Sequence, residues 1–423
     1  MKVLVVGGGA REHTLVWKLV QSPKVKGICV APGNAGTAML ACNLDVSPDN
    51  IEGLAEVARQ EGIELVVVGP EVSLAGGIVD RFQGIGIPIF GPTKKAAEIE
   101  SSKVFAKGLM QKYNIPCARS ASFSSYAQAK EYIQQQPLPL VVKADGLAAG
   151  KGVIVARSTP EALEALSSIM GSKAFGAAGD RVVIEECLSG EEMSAFAFTD
   201  GRTVVPMVSA CDYKPVYDGD RGPNTGGMGS YSPPHFISPT LAEAVEEAIM
   251  EPAVRAMAQE ERLYQGTIYG GLMITGDGPK ALEFNARFGD PETQVVLPLL
   301  RTDLVDILLA VMNGNLDRMN VEWSSDACVG VVMASGGYPG SYKTGFPVTG
   351  LADLDEDILV FHAGTRVGEV GQVLTSGGRV LTVVATAETV AGARERVYAN
   401  ISRIRFEGYH YRKDIAEVKE RGR

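Results

Sequence analysis

Histidine and paired cysteine are scarce in this 423-residue chain, which has four His and six Cys. Cys29, Cys42, Cys117, Cys187, Cys211 and Cys328 are scattered, and no CxxC pair occurs. That excludes a zinc framework and a disulfide scaffold, and each Cys reads as a small buried apolar residue. No apolar run approaches the roughly 20 residues of a membrane span, and the first apolar stretch, Lys2 to Val6, is too short for a signal-peptide core. Excess positive charge is also missing: Lys+Arg 40 against Asp+Glu 50 gives a net charge of −10. A broad nucleic-acid footprint is therefore excluded, and any phosphate site must be local. The chain is expected to be cytoplasmic, with neither nucleic acid nor membrane as a partner.

What is abundant is glycine, 49 residues in clusters. The length allows two to four domains at about 100–200 residues each. Over residues 1–102, short Val/Ile/Leu runs (Lys2–Val6, Gly27–Val30, Leu65–Val68, Ile87–Phe90) alternate with helical patterns (Arg11–Val20, Ser73–Phe82, Thr93–Glu100). Unbroken apolar strands separated by helices specify a parallel, Rossmann-like sheet. Residues 103–325 read as α+β, with a small lobe at about 118–188, and residues 326–423 as a further small α+β domain. In the middle segment a long helical stretch spans Leu241–Arg262.

Three constellations carry chemistry. Gly7-Gly8-Gly9-Ala10-Arg11 follows a strand and opens a helix, where glycine bares backbone amides for an anion. Glu12 stands where a dinucleotide fingerprint needs its third glycine, so a phosphate-bearing substrate is the better reading, seated near Gly9 and Arg11. The loop Ser335-Gly336-Gly337-Tyr338 is the rival phosphate site. The second constellation, Lys143 to Gly152, is a strand-ending lysine followed by a glycine-rich turn with Gly146, Gly150 and Lys151. It suits a lid over a polyphosphate, yet lacks the P-loop spacing. Downstream, Glu185 and Glu186 end an apolar strand, where an acid can accept an adenine amino proton while the backbone at Cys187 and Leu188 reads the ring edge. Third, Glu283, Asn285 and Arg287 alternate along a strand and share a face, two hard oxygen donors and a guanidinium suited to a divalent cation and nucleotide phosphate. The run from Gly222 through Asn224, Thr225 and Gly226 to Gly229 reads as an irregular loop near substrate.

Together, GGGAREH, PGNAGT, VVVGPEVSL, KADGLAAGKGV, GPNTGGMGSYSP and EFNARFGDPETQ resemble the phosphoribosylamine–glycine ligase family of the ATP-grasp superfamily, from Met1 to about Tyr411. The resemblance implies a pre-ATP-grasp N-terminal domain, a two-lobed ATP-grasp centre and a C-terminal α+β domain. It implies ATP-dependent joining of glycine to 5-phosphoribosylamine through a glycyl phosphate, in purine biosynthesis, by a monomer. Lys103, Lys143 and the Gly146–Gly152 lid would hold ATP phosphates; Glu185, Cys187 and Leu188 would read adenine, with Glu186 beside them. Glu192 would take the ribose, with Glu191 beside it as a competitor for that role, and Glu283 and Asn285 would bind Mg²⁺ or Mn²⁺. Arg287 and Asp212 would carry the chemistry, with Gly9, Arg11, Asn224, Thr225, Gly226 and Asp290 around the substrate. Two departures stand out: Gly270-Gly271-Leu272-Met273 holds no further metal-binding acid, and Tyr213-Lys214-Pro215 stands where relatives have His-Lys-Arg. The alternatives are an ATP-grasp carboxylase working through carboxyphosphate and a non-catalytic ATP-binding regulator.

Overall fold

The computed structural model describes residues 1–147 and 152–417. Five parallel strands open the chain: β1 (Lys2–Gly7), β2 (Gly27–Pro32), β3 (Cys42–Asn43), β4 (Leu65–Val68) and β5 (Ile89–Phe90), ordered β3-β2-β1-β4-β5. Val3 to Val6 are fully buried, as strands covered on both faces must be. The helix expected over Ser73–Phe82 is split into Glu71–Gly76 and Ile78–Gly84, because Gly77 adopts φ +95°, a conformation that ends a helix and suits glycine. Likewise only Glu98–Ser101 is helical within Thr93–Glu100 and its flank. A helix at Ile51–Gln60, capped by Asn50 onto Gly53 N, was not expected from the sequence.

The small lobe is an antiparallel sheet of β6 (Ser120–Phe123), β7 (Leu140–Ala144), β8 (Val153–Ala156) and β9 (Val182–Glu186), ordered β6-β9-β7-β8. Helices Tyr126–Gln135 and Thr159–Leu166 cover it, capped by Ser125 and Ser158, each such cap contributing about 1 kcal/mol. Ile133, Leu140, Val142, Leu166 and Ile184 form its core. The large lobe follows with β10 (Glu191–Thr199), β11 (Val204–Pro206), β12 (Cys211–Asp212), β13 (Pro215–Tyr217), β14 (Arg221–Asn224), β15 (Gly229–Ser232), β16 (Gly266–Thr275) and β17 (Gly278–Asn285). Its sheet runs β11-β10-β16-β17. The expected helix Leu241–Arg262 is Pro239–Val245, a π turn at Glu246–Met250, and Glu251–Gln259.

The remaining strands are β18 (Ala327–Ala334), β19 (Leu359–His362), β20 (Thr365–Val367), β21 (Val373–Thr375) and β22 (Arg379–Ala387). The glycine-rich run Gly222–Gly229, expected as an irregular loop, is irregular only over residues 225–228. Its start belongs to β14, paired with β13, and its end enters β15, which pairs with β18. Gly229 lets the strands close, since a Cβ there would lie 2.7 Å from Gly330 O. The sheet β12-β15-β18-β22-β19 thus takes two strands from before residue 325 and three from after it.

Helix Ala10–Leu19 meets β19 through two histidines. His362 N donates to His13 Nδ1 at 2.8 Å, the rings lie 5.5 Å apart, and Asn34 Nδ2 donates to His362 O at 2.7 Å. Burial, and for His13 also the neighbouring imidazole, lowers the pKa to about 3 for His13 and about 4 for His362. Both stay neutral when folded and protonate on unfolding, so their stabilisation is complete above about pH 6.5 and is lost as pH falls toward 4 and then 3. A tenfold change in proton affinity corresponds to about 1.4 kcal/mol. Urea unfolding across pH 7 to 4 should show a shallower loss of stability for His13→Asn, whose amide oxygen can accept the same bond without titrating. Parallel curves would contradict the neutral-histidine contact.

Candidate functional site

The end of β17 is where the parts of the chain converge. A register shift opposite Gly271 and Leu272 precedes Glu283, after which Glu283 and Asn285 share a face. Burial pushes the Glu283 carboxyl up, but the charges of Lys214, Lys143, Lys103 and Arg287 outweigh it and hold the group below the usual carboxylate range. Glu283 is therefore an ionised acid facing four cations. Asn285 Oδ1 receives only a long contact, 3.5 Å, from Arg287 Nη2.

On the small lobe Lys143 Nζ reaches Glu185 Oε2 at 3.0 Å and donates to Leu282 O at 3.3 Å. Lys107 Nζ lies 3.2 Å from the other oxygen, Glu185 Oε1. All three side chains are under 10% exposed. This corrects the expectation that the Glu185 carboxylate meets adenine: it is closed off from solvent and shared by two lysines. Glu186 is turned outward onto Arg119, at 2.8 Å, and does not join the cluster. Cys187 and Leu188 follow in the linker to β10. Asp145 ties the glycine turn to helix Lys103–Lys112, its Oδ1 accepting from Val104 N and Ser102 Oγ, both at 3.1 Å, so that Lys103 Nζ donates to Gly146 O at 3.0 Å. Gly152 is buried, with its carbonyl bonded to Ala144 N at 2.8 Å. Gly150 and Lys151, expected in the lid, lie outside the described residues.

Arg287, expected to carry the chemistry, has its guanidinium held by neighbours. Nε lies 2.8 Å from Glu71 Oε2, Nη2 lies 3.1 Å from Glu100 Oε1, and Nη1 donates to Phe288 O at 3.2 Å. Burial raises the Glu100 carboxyl despite Arg287, whereas in Glu71 the pull of Arg287 and Arg11 overcomes burial. Asp290 pairs with Arg379 at 2.9 Å, and Arg379 also donates to Gly226 O. Asp212 lines a small polar cavity with Glu192, Ser194, Lys214, Tyr269 and Leu282. Burial and the charge of Glu292 raise its carboxyl well above the ordinary range, and its Oδ1 has no hydrogen-bond partner among the described residues. Glu292 accepts from Tyr269 OH at 2.9 Å and Ser194 Oγ at 3.2 Å. Lys214 Nζ stands 3.2 Å from Glu192 Oε2. Thr225 directs both its hydroxyl and its amide to Lys214 O, and Asn224 lies exposed in β14.

The glycine turn after β1 requires the second correction. Gly9 N already donates to Glu12 Oε2 at 2.6 Å, and Glu12 Oε1 takes Arg11 Nε at 2.6 Å. A Cβ at Gly7, Gly9 or Gly69 would come within 2.8 Å of this carboxylate, so the glycines make room for Glu12. A phosphate on the Gly9 amide would meet an anion already there. Arg11 still approaches the site, donating to Phe288 O at 3.4 Å. By contrast, Gly336 and Gly337 of the rival loop are exposed.

Lys107, Glu71, Glu100, Glu292, Lys214 and Arg379 belong to the cluster although sequence reasoning gave them no role. A signal existed for two of them. Lys107 is one helical turn from Lys103, and Glu292 lies just beyond the Glu283–Asp290 run. Arg379 is brought in only by sheet pairing with β18.

Family models for phosphoribosylglycinamide synthetase match most of the chain: the N domain over residues 1–100, the ATP-grasp (A) domain over 101–293 and the C domain over 328–418. A phosphoribosylamine–glycine ligase of Halalkalibacterium halodurans is 51% identical over 416 residues, covering 98% of this chain and 96% of its own. The crystal structure of phosphoribosylamine–glycine ligase from Thermotoga maritima matches with TM-score 0.86 at 35% identity, over 98% of this chain and 100% of that one. A biotin carboxylase–β,γ-ATP complex from Campylobacter jejuni gives TM-score 0.76 at 12% identity, over 98% and 94% of the two chains, a likeness of fold alone.

The shared carboxylate makes a prediction about stability. Glu185→Gln leaves two buried ammonium groups facing each other and should cost about 3–5 kcal/mol, the usual loss when one partner of a buried pair is removed. Lys107→Met should cost less, because Lys143 still neutralises Glu185. Urea denaturation of both variants gives the order, and the reverse order would contradict the pairing.

Proposed function

The chain belongs to the phosphoribosylglycinamide synthetase family, and from that premise we propose how its residues divide the work. The protein is an ATP-dependent ligase joining glycine to 5-phosphoribosylamine, a step of purine biosynthesis that yields glycinamide ribonucleotide, ADP and phosphate. The carrying observation is Glu283, an ionised acid faced by Lys214, Lys143, Lys103 and Arg287. Such a face suits a polyphosphate and its cation. Lys103 and Lys143 hold ATP phosphates beside Gly146 and Gly152, the backbone at Glu185–Leu188 reads adenine, and Glu192 takes ribose hydroxyls. We place the domain divisions at about 102 and 325.

ATP-grasp enzymes use ATP with divalent metal ions, and the donors here fit one: Glu283 is held ionised and Asn285 adds a neutral oxygen, with nucleotide phosphates completing the shell. Among the described residues no group of three or more His, Cys, Asp or Glu is arranged to hold a metal alone. The ion, Mg²⁺ or Mn²⁺ in this proposal, would offset phosphate charge during transfer.

Glycine's carboxylate attacks the γ-phosphorus, ADP leaves, and the resulting glycyl phosphate meets the amine of phosphoribosylamine. Phosphate is then expelled as the amide forms. Arg287 contributes a fixed charge to this transfer from within its pairs with Glu71 and Glu100, and so needs no reorganisation. Asp212, its basicity raised by burial and Glu292, is placed to accept the proton that the attacking amine loses. With Glu12 on the Gly9 amide, the substrate phosphate is assigned to the Ser335–Tyr338 loop, and its sugar to the space between Arg11, Asp290 and Thr225–Gly226. The working unit in this proposal is a monomer. ATP and a phosphorylated amine as substrates favour a cytoplasmic setting.

ADP release from ATP and Mg²⁺ should require both glycine and phosphoribosylamine, with bicarbonate unable to replace glycine. Release driven by bicarbonate would move the assignment to a carboxylase. Glu283→Gln should lower metal-dependent turnover on the order of 100-fold or more and leave the circular dichroism spectrum unchanged, with Asn285→Ala milder. Near-normal activity of Glu283→Gln at limiting Mg²⁺ would contradict the metal assignment.

A further inference from the structure

Arg412 is fully buried, an uncommon state for a guanidinium, and it lies far along the chain from every group assigned above. Its fork grips Asp414 through two 2.7 Å contacts, reaches Asp220 Oδ1 at 2.9 Å and donates to Pro215 O at 2.9 Å. Its plane sits 4.9 Å over the ring of Tyr213. Tyr213 OH in turn accepts from Ala416 N at 3.1 Å, and Gly219 N donates to Asp414 Oδ2 at 2.8 Å. The segment 412–416 therefore grips the β13–β14 hairpin at both its base and its turn.

The residue between the gripped positions is Lys214. Tyr213 and Pro215 are held by Arg412, whereas Asp212 and Lys214 line the polar cavity on the other side. Neighbouring side chains of an extended segment point to opposite faces, so fixing 213 and 215 from behind fixes 212 and 214 in front. We infer that Arg412 and Tyr213 are positioning residues, and that the segment 412–416 sets Lys214 against Glu192. A lysine is a long flexible point charge, and a displacement of about 1 Å at a reacting centre costs on the order of 100-fold. The grip that limits such displacement is a ring under a guanidinium together with a phenolic oxygen on the Ala416 amide.

The inference rests on reading the Glu192–Lys214–Glu283 face as the nucleotide site, and the test separates the two. Binding of a non-hydrolysable ATP analogue with Mg²⁺ is measured by calorimetry on the full chain for Arg412→Met, Arg412→Lys, Tyr213→Phe and Lys214→Met, alongside KM for each substrate. Arg412→Met should weaken analogue binding by about tenfold, and Arg412→Lys should restore only part, because an ammonium cannot reproduce the fork. In the Lys214→Met background, Arg412→Met should add less than about twofold, since its effect passes through a side chain no longer present. Tyr213→Phe keeps the ring and the fold, and should raise KM for ATP by about twofold or more through loss of the Ala416 contact. Additive losses in the double variant, or a lowered melting temperature with unchanged analogue binding and KM in Tyr213→Phe, would overturn the inference. A wild type that binds the analogue but releases no ADP with glycine and phosphoribosylamine would instead count against the ligase reading and leave the positioning test intact.

Discussion

Arg287 is gripped by two carboxylates that arrive from elsewhere in the chain, and the geometry of the whole site follows from that grip. Glu71 begins a short helix after β4, Glu100 lies in another (Glu98–Ser101), and both meet the guanidinium just past β17. Glu100 also accepts from Ala286 N at 2.7 Å, so the backbone is fixed together with the side chain. From that anchored point Leu282 receives Lys143 of the small lobe, and Asp290 receives Arg379 of the C-terminal sheet. Buried ion pairs contribute little net stability, because desolvation offsets their attraction. Their value here is positional: each pair joins segments separated by many residues at the place where substrates must meet.

Among the described residues, most buried charges around the site are paired. Lys107 and Lys143 share Glu185, Arg287 spans two acids, and Arg379 takes Asp290. The exceptions are informative. Glu283 faces a surplus of cations, the arrangement expected where further negative charge from a nucleotide is to enter. Asp212 lies near Glu292, and burial together with that charge raises its affinity for a proton, which suits a group that must take one up.

Much of this was legible in the sequence because strands write their burial plainly. The run Val3–Val6 and the alternation of Glu283 and Asn285 each led directly to the observed element, whereas Arg287, expected on the same strand face, lies beyond the end of β17 at Asn285. Glycine was harder to interpret, since it serves close packing and anion binding equally well. Gly7, Gly9 and Gly69 make room for the Glu12 carboxylate, and Gly229 allows β15 to approach β18, whereas composition suggested a phosphate cradle and a loop. The helix Leu304–Asn313 escaped notice because it is apolar on most faces and so lacks a clear period. Glu185 was assigned to adenine because its partner Lys107 could be identified only once helix Lys103–Lys112 was seen packing against β9. Arg379 and Arg412 became site neighbours only when the C-terminal sheet recruited strands from the middle of the chain.

The central claim is that Glu283 and Asn285 at the end of β17 form the protein side of a metal–nucleotide site built on the Arg287 anchor. Anomalous diffraction from crystals grown with Mn²⁺ and a non-hydrolysable ATP analogue tests it most directly. The account places a Mn²⁺ peak about 2.1 Å from a Glu283 carboxylate oxygen and from Asn285 Oδ1, with phosphate oxygens in the same shell. A peak coordinated by other side chains, with Glu283 left paired only to lysines, would contradict it.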